Sequence, residues 1–278
     1  MAIIKKNLGK TVVYIKRVAI LALGLAICVF LFKMQMLRQK CNALASMISH
    51  MIEFRLTTTE EKLDTLASFI NDSSKRYKAK NTRQSIASQN IRNLLLTSPY
   101  VEEVAWVAGD GRQNMCYART EKGIVKKTMN GNFKSSPLFD AHQRGQMTIS
   151  KIEYNSTTKK IPTFHLSYPL NSRDGGLILA KVNLWDFLKS PLLELNGLLN
   201  GSINFEVRDK QKKLIAHKIS KEEKAMFINS FISGKAQSER LGLDVKLTMT
   251  NDSFKESLLP KNLLWGIAGG SVFLALLM

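Results

Sequence analysis

Two uncharged apolar runs bracket the chain. The first, VAILALGLAICVFLF at Val18–Phe32, continues past Lys33 through Met34–Leu37. The second, LLWGIAGGSVFLALLM, covers the sixteen residues Leu263–Met278. A bilayer span needs about 20 apolar residues. Val18–Met36 is long enough, with Lys33 able to snorkel to the interface on its stem. Leu263–Met278 reads as the start of a returning helix. The chain is therefore expected to be truncated, with any cytoplasmic output domain missing.

Between these runs the pattern is first helical. Leu37, Cys41, Leu44, Ile48 and Met51 recur in steps of four and three, the seam of packed helices. The seam lapses at Arg55 and Thr58, where TTTEEK (Thr57–Lys62) predicts a fresh helix start with acids in its first turn. Leu63, Leu66 and Ile70 resume it, and TRQSIASQNIRNLLLTS (Thr82–Ser98) predicts a further helix ending before Pro99. This stripe could pack on the domain's own sheet or on a second subunit, making a homodimer in which Cys41 could face its twin.

After Pro99 the period changes to two. Strands are predicted at Tyr100–Gly109, Gln113–Thr120, Gln146–Tyr154, Ile161–Leu170, Leu177–Asn183, Ser202–Asp209, Lys212–Lys218 and Leu241–Thr250. Gly109–Arg112 is a hairpin turn, and helices are expected at Ser135–Gly145, Leu184–Asn196 and Lys221–Ser233. The fold class is α+β, an antiparallel sheet backed by long N-terminal helices and flanked by two transmembrane helices.

Charge orients this plan. Of 278 residues, 41 are Lys or Arg and 22 are Asp or Glu, a net charge of +19. Residues 1–40 hold eight basic residues and no acid, so the amino end is expected to stay cytoplasmic. The organisation follows: a basic N-terminus at 1–17, a span at 18–36, an extracytoplasmic domain at 37–262 and the second span from 263. Within the domain, 37–98 is helical and 99–250 holds the sheet. An A-x-A at Ala43–Ala45 suggests a cleaved signal peptide instead, but it lies across three positive charges from the apolar run. The residues before Cys41 do not suit a lipoprotein signal. The excess charge of the middle fits a solvated basic face, an anionic ligand or a lipid surface. No basic run with interleaved aromatics points to nucleic acid.

The three cysteines, Cys28, Cys41 and Cys116, make no disulfide framework, and no Cys/His spacing suits zinc. Neither a metal nor a cofactor is expected. NLGKT at Asn7–Thr11 lacks the glycine a phosphate loop needs where Ile4 stands. G-x-S-x-G, H-E-x-x-H and G-x-G-x-x-G are absent from the sequence. The residues given are not expected to be an enzyme.

With SPYVEEVAWVAGDGR, GQMTISKIEY, IPTFHLSYPL, GGLILAKVNLWDFL and INFEVRDKQKKLIAH in their order, residues 40–250 resemble extracytoplasmic Cache (PAS-like) sensor domains. The resemblance implies a PAS-like sheet and a small-molecule site on the face away from the main helix. Such domains head diguanylate cyclases, cyclic-di-GMP phosphodiesterases, chemoreceptors and histidine kinases. Cys116 is similar in place to the cysteine of CSS-type sensors, but CYA stands where C-S-S would, so redox control does not carry over. The amino-acid-binding signature is not evident, and no ligand is transferred.

Alternation then sorts the candidate residues. Phe164, Leu166, Tyr168 and Leu170 form the helix-facing set, which turns His165 and Ser167 the other way. Lys181 and Asn183 lie opposite Ile178, Ala180 and Val182, and Met115, Tyr117 and Arg119 share one side. The pocket expected from this resemblance holds Tyr117, Arg119, His165, Ser167 and Lys181, with His142 from the short helix. Arg119 and Lys181 would suit a small anion such as a carboxylate. The plainer alternative makes them solvent-facing strand residues and His165 a structural histidine. The expected protein is a multi-pass sensor of a bacterial inner membrane, its main domain in the periplasm. It would relay the binding of a small ligand or a periplasmic partner to a cyclic-di-GMP cyclase or phosphodiesterase. A chemoreceptor, a histidine kinase or an envelope scaffold is the alternative.

Overall fold

The computed structural model describes residues 2–77, 79–128, 132–139, 145–154, 161–171, 175–198, 203–218 and 232–249. Helix α1, Ala2–Arg76, runs unbroken through the predicted restart at Thr57–Lys62. The threonines there cap nothing. Thr58 Oγ1 donates to Phe54 O at 3.0 Å and Thr59 Oγ1 to Arg55 O at 2.8 Å, bonds one turn back that leave the helix intact. The seam does not lapse either. Ile52, Leu56, Thr59 and Leu63 are fully buried, so Leu56 takes the place expected of Arg55. Thr59 is tolerated in the core because its hydroxyl also meets Tyr100 Oη at 3.0 Å.

Among the described residues one helix is long and apolar enough to cross a membrane, with a mean hydropathy of 2.2 over its apolar window. Ile20, Leu21, Leu25 and Phe32 on it stand exposed. The predicted second span at Leu263–Met278 lies outside the described residues.

Helix α2, Lys80–Thr97, folds back against α1. Then come β1 (Val101–Val107), β2 (Gln113–Thr120) and β3 (Gly123–Lys126), the last absent from the sequence expectation. The helix expected at Ser135–Gly145 is, where described, a single 3-10 turn at Pro137–Phe139. The strand expected at Gln146–Tyr154 is two short pieces, β4 (Thr148–Ile149) and β5 (Glu153–Tyr154). Long strands β6 (Pro162–Pro169) and β7 (Leu177–Asn183) follow, then α3 (Leu184–Leu198). Asn183 caps α3: its Oδ1 accepts from Trp185 N at 2.9 Å and Asp186 N at 3.2 Å. The remaining strands are β8 (Ile203–Arg208), β9 (Leu214–Lys218), β10 (Ser233–Ser238) and β11 (Leu243–Met249).

These strands form two antiparallel sheets, where the sequence suggested one. The first has the order β3-β2-β1-β7-β6-β4, with β5 also on β6, and the second has β10-β11-β8-β9. Of the helix predicted at Lys221–Ser233, residues 221–231 lie outside the described ones, Ile232 is a bend and Ser233 opens β10.

One apolar core runs along α1 beneath both sheets. It joins Ile48, Ile52 and Leu63 of α1 to Phe164, Ile178 and Val182 of the first sheet and to Val207, Val245 and Leu247 of the second. Phe187 of α3 meets Tyr100 and Phe164 edge to face, at centroid distances of 5.4 and 5.6 Å. The seam that could have served a second subunit therefore covers the chain's own sheets. Cys41 is buried against β10, Ile232 and Met249, and does not face outward toward a twin. Tyr154 Oη donates to Asp209 Oδ2 and so ties the first sheet to the β8–β9 turn of the second.

Candidate functional site

The first sheet has two unlike faces. Val104 of β1, Met115 and Tyr117 of β2, Phe164 and Leu166 of β6 and Ile178, Ala180 and Val182 of β7 pack toward the helices. On the outer face, Ala105, Val107, Cys116, Leu177 and Leu179 lie under Phe139, with Phe133 and Leu138 beside it. This apolar cover reaches only part of the face. Beyond it lies a row set by the pairing register: Glu103 opposite Lys181, and Lys181 opposite His165.

A bulge enriches this row in carboxylate. The β1–β7 register shifts between Val101 and Glu103, so Glu102 is the extra residue. Both acids then serve one face. Glu102 Oε1 accepts from Asn183 Nδ2 at 3.0 Å and its Oε2 lies 3.6 Å from Lys181 Nζ. Glu103 Oε1 accepts from the Cys116 thiol at 3.3 Å and its Oε2 lies 2.8 Å from Lys127 Nζ.

These neighbours shift the titrations. Burial, then the charge and hydrogen bond of Glu103, push the Cys116 thiol up to about 12, far from the range of a reactive thiolate. Lys127 is raised chiefly by its hydrogen bond to Glu103. His165 is held below its ordinary value mainly by burial; Glu153 pulls it up and Lys181 pushes it down. Its Nδ1 is buried and has no hydrogen-bond partner among the described residues, the Glu153 carboxylate standing 3.8 Å away. Such an atom calls for a partner, a water or another polar group.

The sequence-selected residues divide between the faces. His165 and Lys181 sit side by side on the outer face. Ser167 shares it but is fully buried, its Oγ donating to Leu138 O at 2.8 Å and tying the 3-10 turn to the sheet. Tyr117 and Arg119 lie on the helix side. Tyr117 Oη meets Ser88 Oγ of α2 at 2.6 Å, and Arg119 Nη2 donates to Leu95 O and to Ser98 O, at 3.4 Å for the second. Arg119 thus closes the C-terminal end of α2, where free carbonyls favour a cation. Alternation correctly put Met115, Tyr117 and Arg119 on one side, but that side meets the helices. His142 lies outside the described residues. Glu102, Glu103, Lys127 and Glu153 were not singled out from the sequence; consecutive acids in VEEV were the available signal, a break in period where both could share a face.

No family model matches the chain, and no curated protein sequence does. Solved structures do match. A domain of a sensory box/GGDEF family protein from Vibrio parahaemolyticus is 11% identical, with a TM-score of 0.55 over 79% of this chain and 98% of that one. The extracellular domain of a histidine kinase, vpHK1S-Z8, is 11% identical, with a TM-score of 0.55 over 83% and 98%. The ligand-binding domain of the Campylobacter jejuni chemoreceptor Tlp3, in complex with 4-methylisoleucine, is 9% identical, with a TM-score of 0.54 over 80% and 93%. At these identities the likeness is one of fold: the chain is built like the sensor domains of such proteins.

Proposed function

We propose that this chain is the extracytoplasmic sensor region of a membrane-anchored signalling protein, binding a small ligand on the outer face of its first sheet. The observation that carries this is the row Glu103–Lys181–His165, with its buried orphan Nδ1, at the margin of the apolar cover formed by Phe133, Leu138 and Phe139. Small-molecule sites combine an apolar wall with a few convergent polar groups. A fold shared with a chemoreceptor's ligand-binding domain supports the same reading.

The ligand we infer carries an anionic group for Lys181, and a donor or acceptor for His165. Arg119, spent on α2, is withdrawn from that role. Binding would shift the sheet against α1, which continues into the apolar segment at 18–36. A ligand moves such an equilibrium only by its differential affinity for the two states. The placement we infer is a bacterial inner membrane, with the sheets in the periplasm and Leu263–Met278 returning to the cytosol. The region itself is not an enzyme; its output is a cyclic-di-GMP cyclase or phosphodiesterase, with a histidine kinase or chemoreceptor output as the alternative. Pairing with a second copy would use the exposed Met47 and Phe54 of α1.

The test is a thermal-shift panel on the full chain in detergent, comparing carboxylates with neutral analogues. A ligand that binds only the folded state raises the melting temperature. Shifts with carboxylates alone that Lys181→Gln abolishes support the reading, and shifts with neutral compounds alone overturn the anionic group. No shift across the panel, or a carboxylate shift unchanged in Lys181→Gln, overturns ligand binding at this face.

A further inference from the structure

We propose a second binding site, for an oxyanion of the phosphate or carboxylate class, on the outer face of the second sheet at Lys235 and Lys246. It is independent of the ligand face of the first sheet. In β11 the inward set is Leu243, Val245, Leu247 and Met249, all buried, so Asp244, Lys246 and Thr248 point outward. The register then places Lys235 of β10 directly opposite Lys246, and Lys246 opposite Glu206 of β8. An open depression of about 510 Å³ lies over them, lined among others by Glu206, Arg208, Lys212 and Asp244.

The charges of this depression do not balance. Arg208 spends its guanidinium on Glu206 Oε1, at 2.6 Å from Nε, and on Lys212 O at 2.7 Å. Lys212 Nζ pairs with Asp244 Oδ2 at 2.7 Å. Both acids are thereby engaged. Lys235 and Lys246 have no ion pair among the described residues. Like charges directly opposite one another destabilise a sheet. Lys246 has Glu206 across from it on β8, but Lys235 faces only Lys246, and an anion bridging the two would relieve that repulsion.

The backbone that carries Lys235 is also held in place. Lys235 N donates to Asn42 Oδ1 at 3.3 Å, and the preceding Gly234 lies against the backbone of Cys41, so this strand is pinned to α1. Two ammonium groups on neighbouring strands, with backbones about 5 Å apart, suit an anion offering two oxygens. Two sources share that chemistry. A free small anion is one. The other is a lipid headgroup phosphate, because Asn42 lies six residues beyond Met36, about 9 Å along a helix, near the polar layer of a bilayer entered by the apolar run.

Amine-reactive labelling of the full chain in nanodiscs, read by mass spectrometry, tests this. Phosphatidylcholine discs with and without inorganic phosphate, at constant ionic strength, are compared with phosphatidylglycerol discs without phosphate. Mass action at several times the dissociation constant reduces labelling about fivefold. That loss is expected at Lys235 and Lys246 and not at the exposed Lys122 and Lys126. Protection by phosphate in neutral discs assigns the site to a free anion. Protection in phosphatidylglycerol discs alone assigns it to the headgroup. Equal labelling throughout overturns the site, as would protection of Lys235 that persists undiminished in Lys246→Gln.

Discussion

Gly234 of β10 lies backbone to backbone on Cys41 of α1: a β-carbon built on the glycine would overlap the cysteine's carbonyl group and the amide of Asn42. These atoms belong to main chain on both sides, so no rotamer change relieves the clash. Gly234→Ala is therefore expected to destabilise the chain by about 1–3 kcal/mol, the range for overpacked interiors, and Gly234→Val by more. A denaturant midpoint in detergent checks this; an unchanged midpoint for both variants would show that β10 does not ride on the helix at this point.

Arg119→Ala should lower stability by about 1.5–3 kcal/mol, the range for hydrogen bonds to charged groups, because it takes the guanidinium donor from the Leu95 carbonyl, while Ser98 O keeps its bond from Val101 N. The affinity for any ligand of the outer face should stay as it is. Paired melting and titration measurements separate the two effects, and a selective loss of affinity would return Arg119 to the pocket.

Lys181→Gln should do the reverse. Its ion pair with Glu102 is partly exposed and contributes little to folding. Its loss should weaken an anionic ligand about tenfold or more while the melting temperature of the unliganded chain barely moves.

His165 makes stability depend on pH. Its folded pKa is depressed below 6.5 by burial, so the unfolded chain takes up the proton first as pH falls. The contribution is complete above about 6.5 and is lost on acidification toward the folded value, at no more than about 1.4 kcal/mol per pH unit for one proton. Melting curves between pH 7.5 and 5.5 should fall less steeply for His165→Gln than for the natural chain. Parallel curves would place the linkage elsewhere.

Cys116 should resist alkylation. With its thiol pushed up to about 12, labelling by iodoacetamide at pH 8 should be slower than for an ordinary cysteine by about two orders of magnitude or more. Glu103→Gln should accelerate it only in part, since burial is the larger cause.

Strand β11 was legible because it buries one face and partly wets the other, and β2, β6 and β7, buried on both faces over much of their length, were legible as short apolar runs bounded by turns. Strand β10 was not. Its sequence SGKAQS offers Gly234 and Ala236 where larger apolar residues would signal a strand, since α1 approaches too closely to admit them. Thr59 hid the continuity of the seam in α1, because a satisfied threonine in a core carries no apolar signal. Of the candidate site, the outward placing of His165 and Lys181 followed from alternation, whereas Glu102 needed a bulge that no periodic rule anticipates. Which side of β2 meets the helices is decided by packing between distant segments, and Tyr117 and Arg119 were misplaced for that reason.

Helix α1 has 75 residues in one hydrogen-bonded ladder, about 110 Å from end to end. Both sheets are mounted on this single rod, and Thr57–Lys62 provides no joint between them. A displacement of either sheet on the rod therefore bears on the same continuous helix that carries the apolar segment.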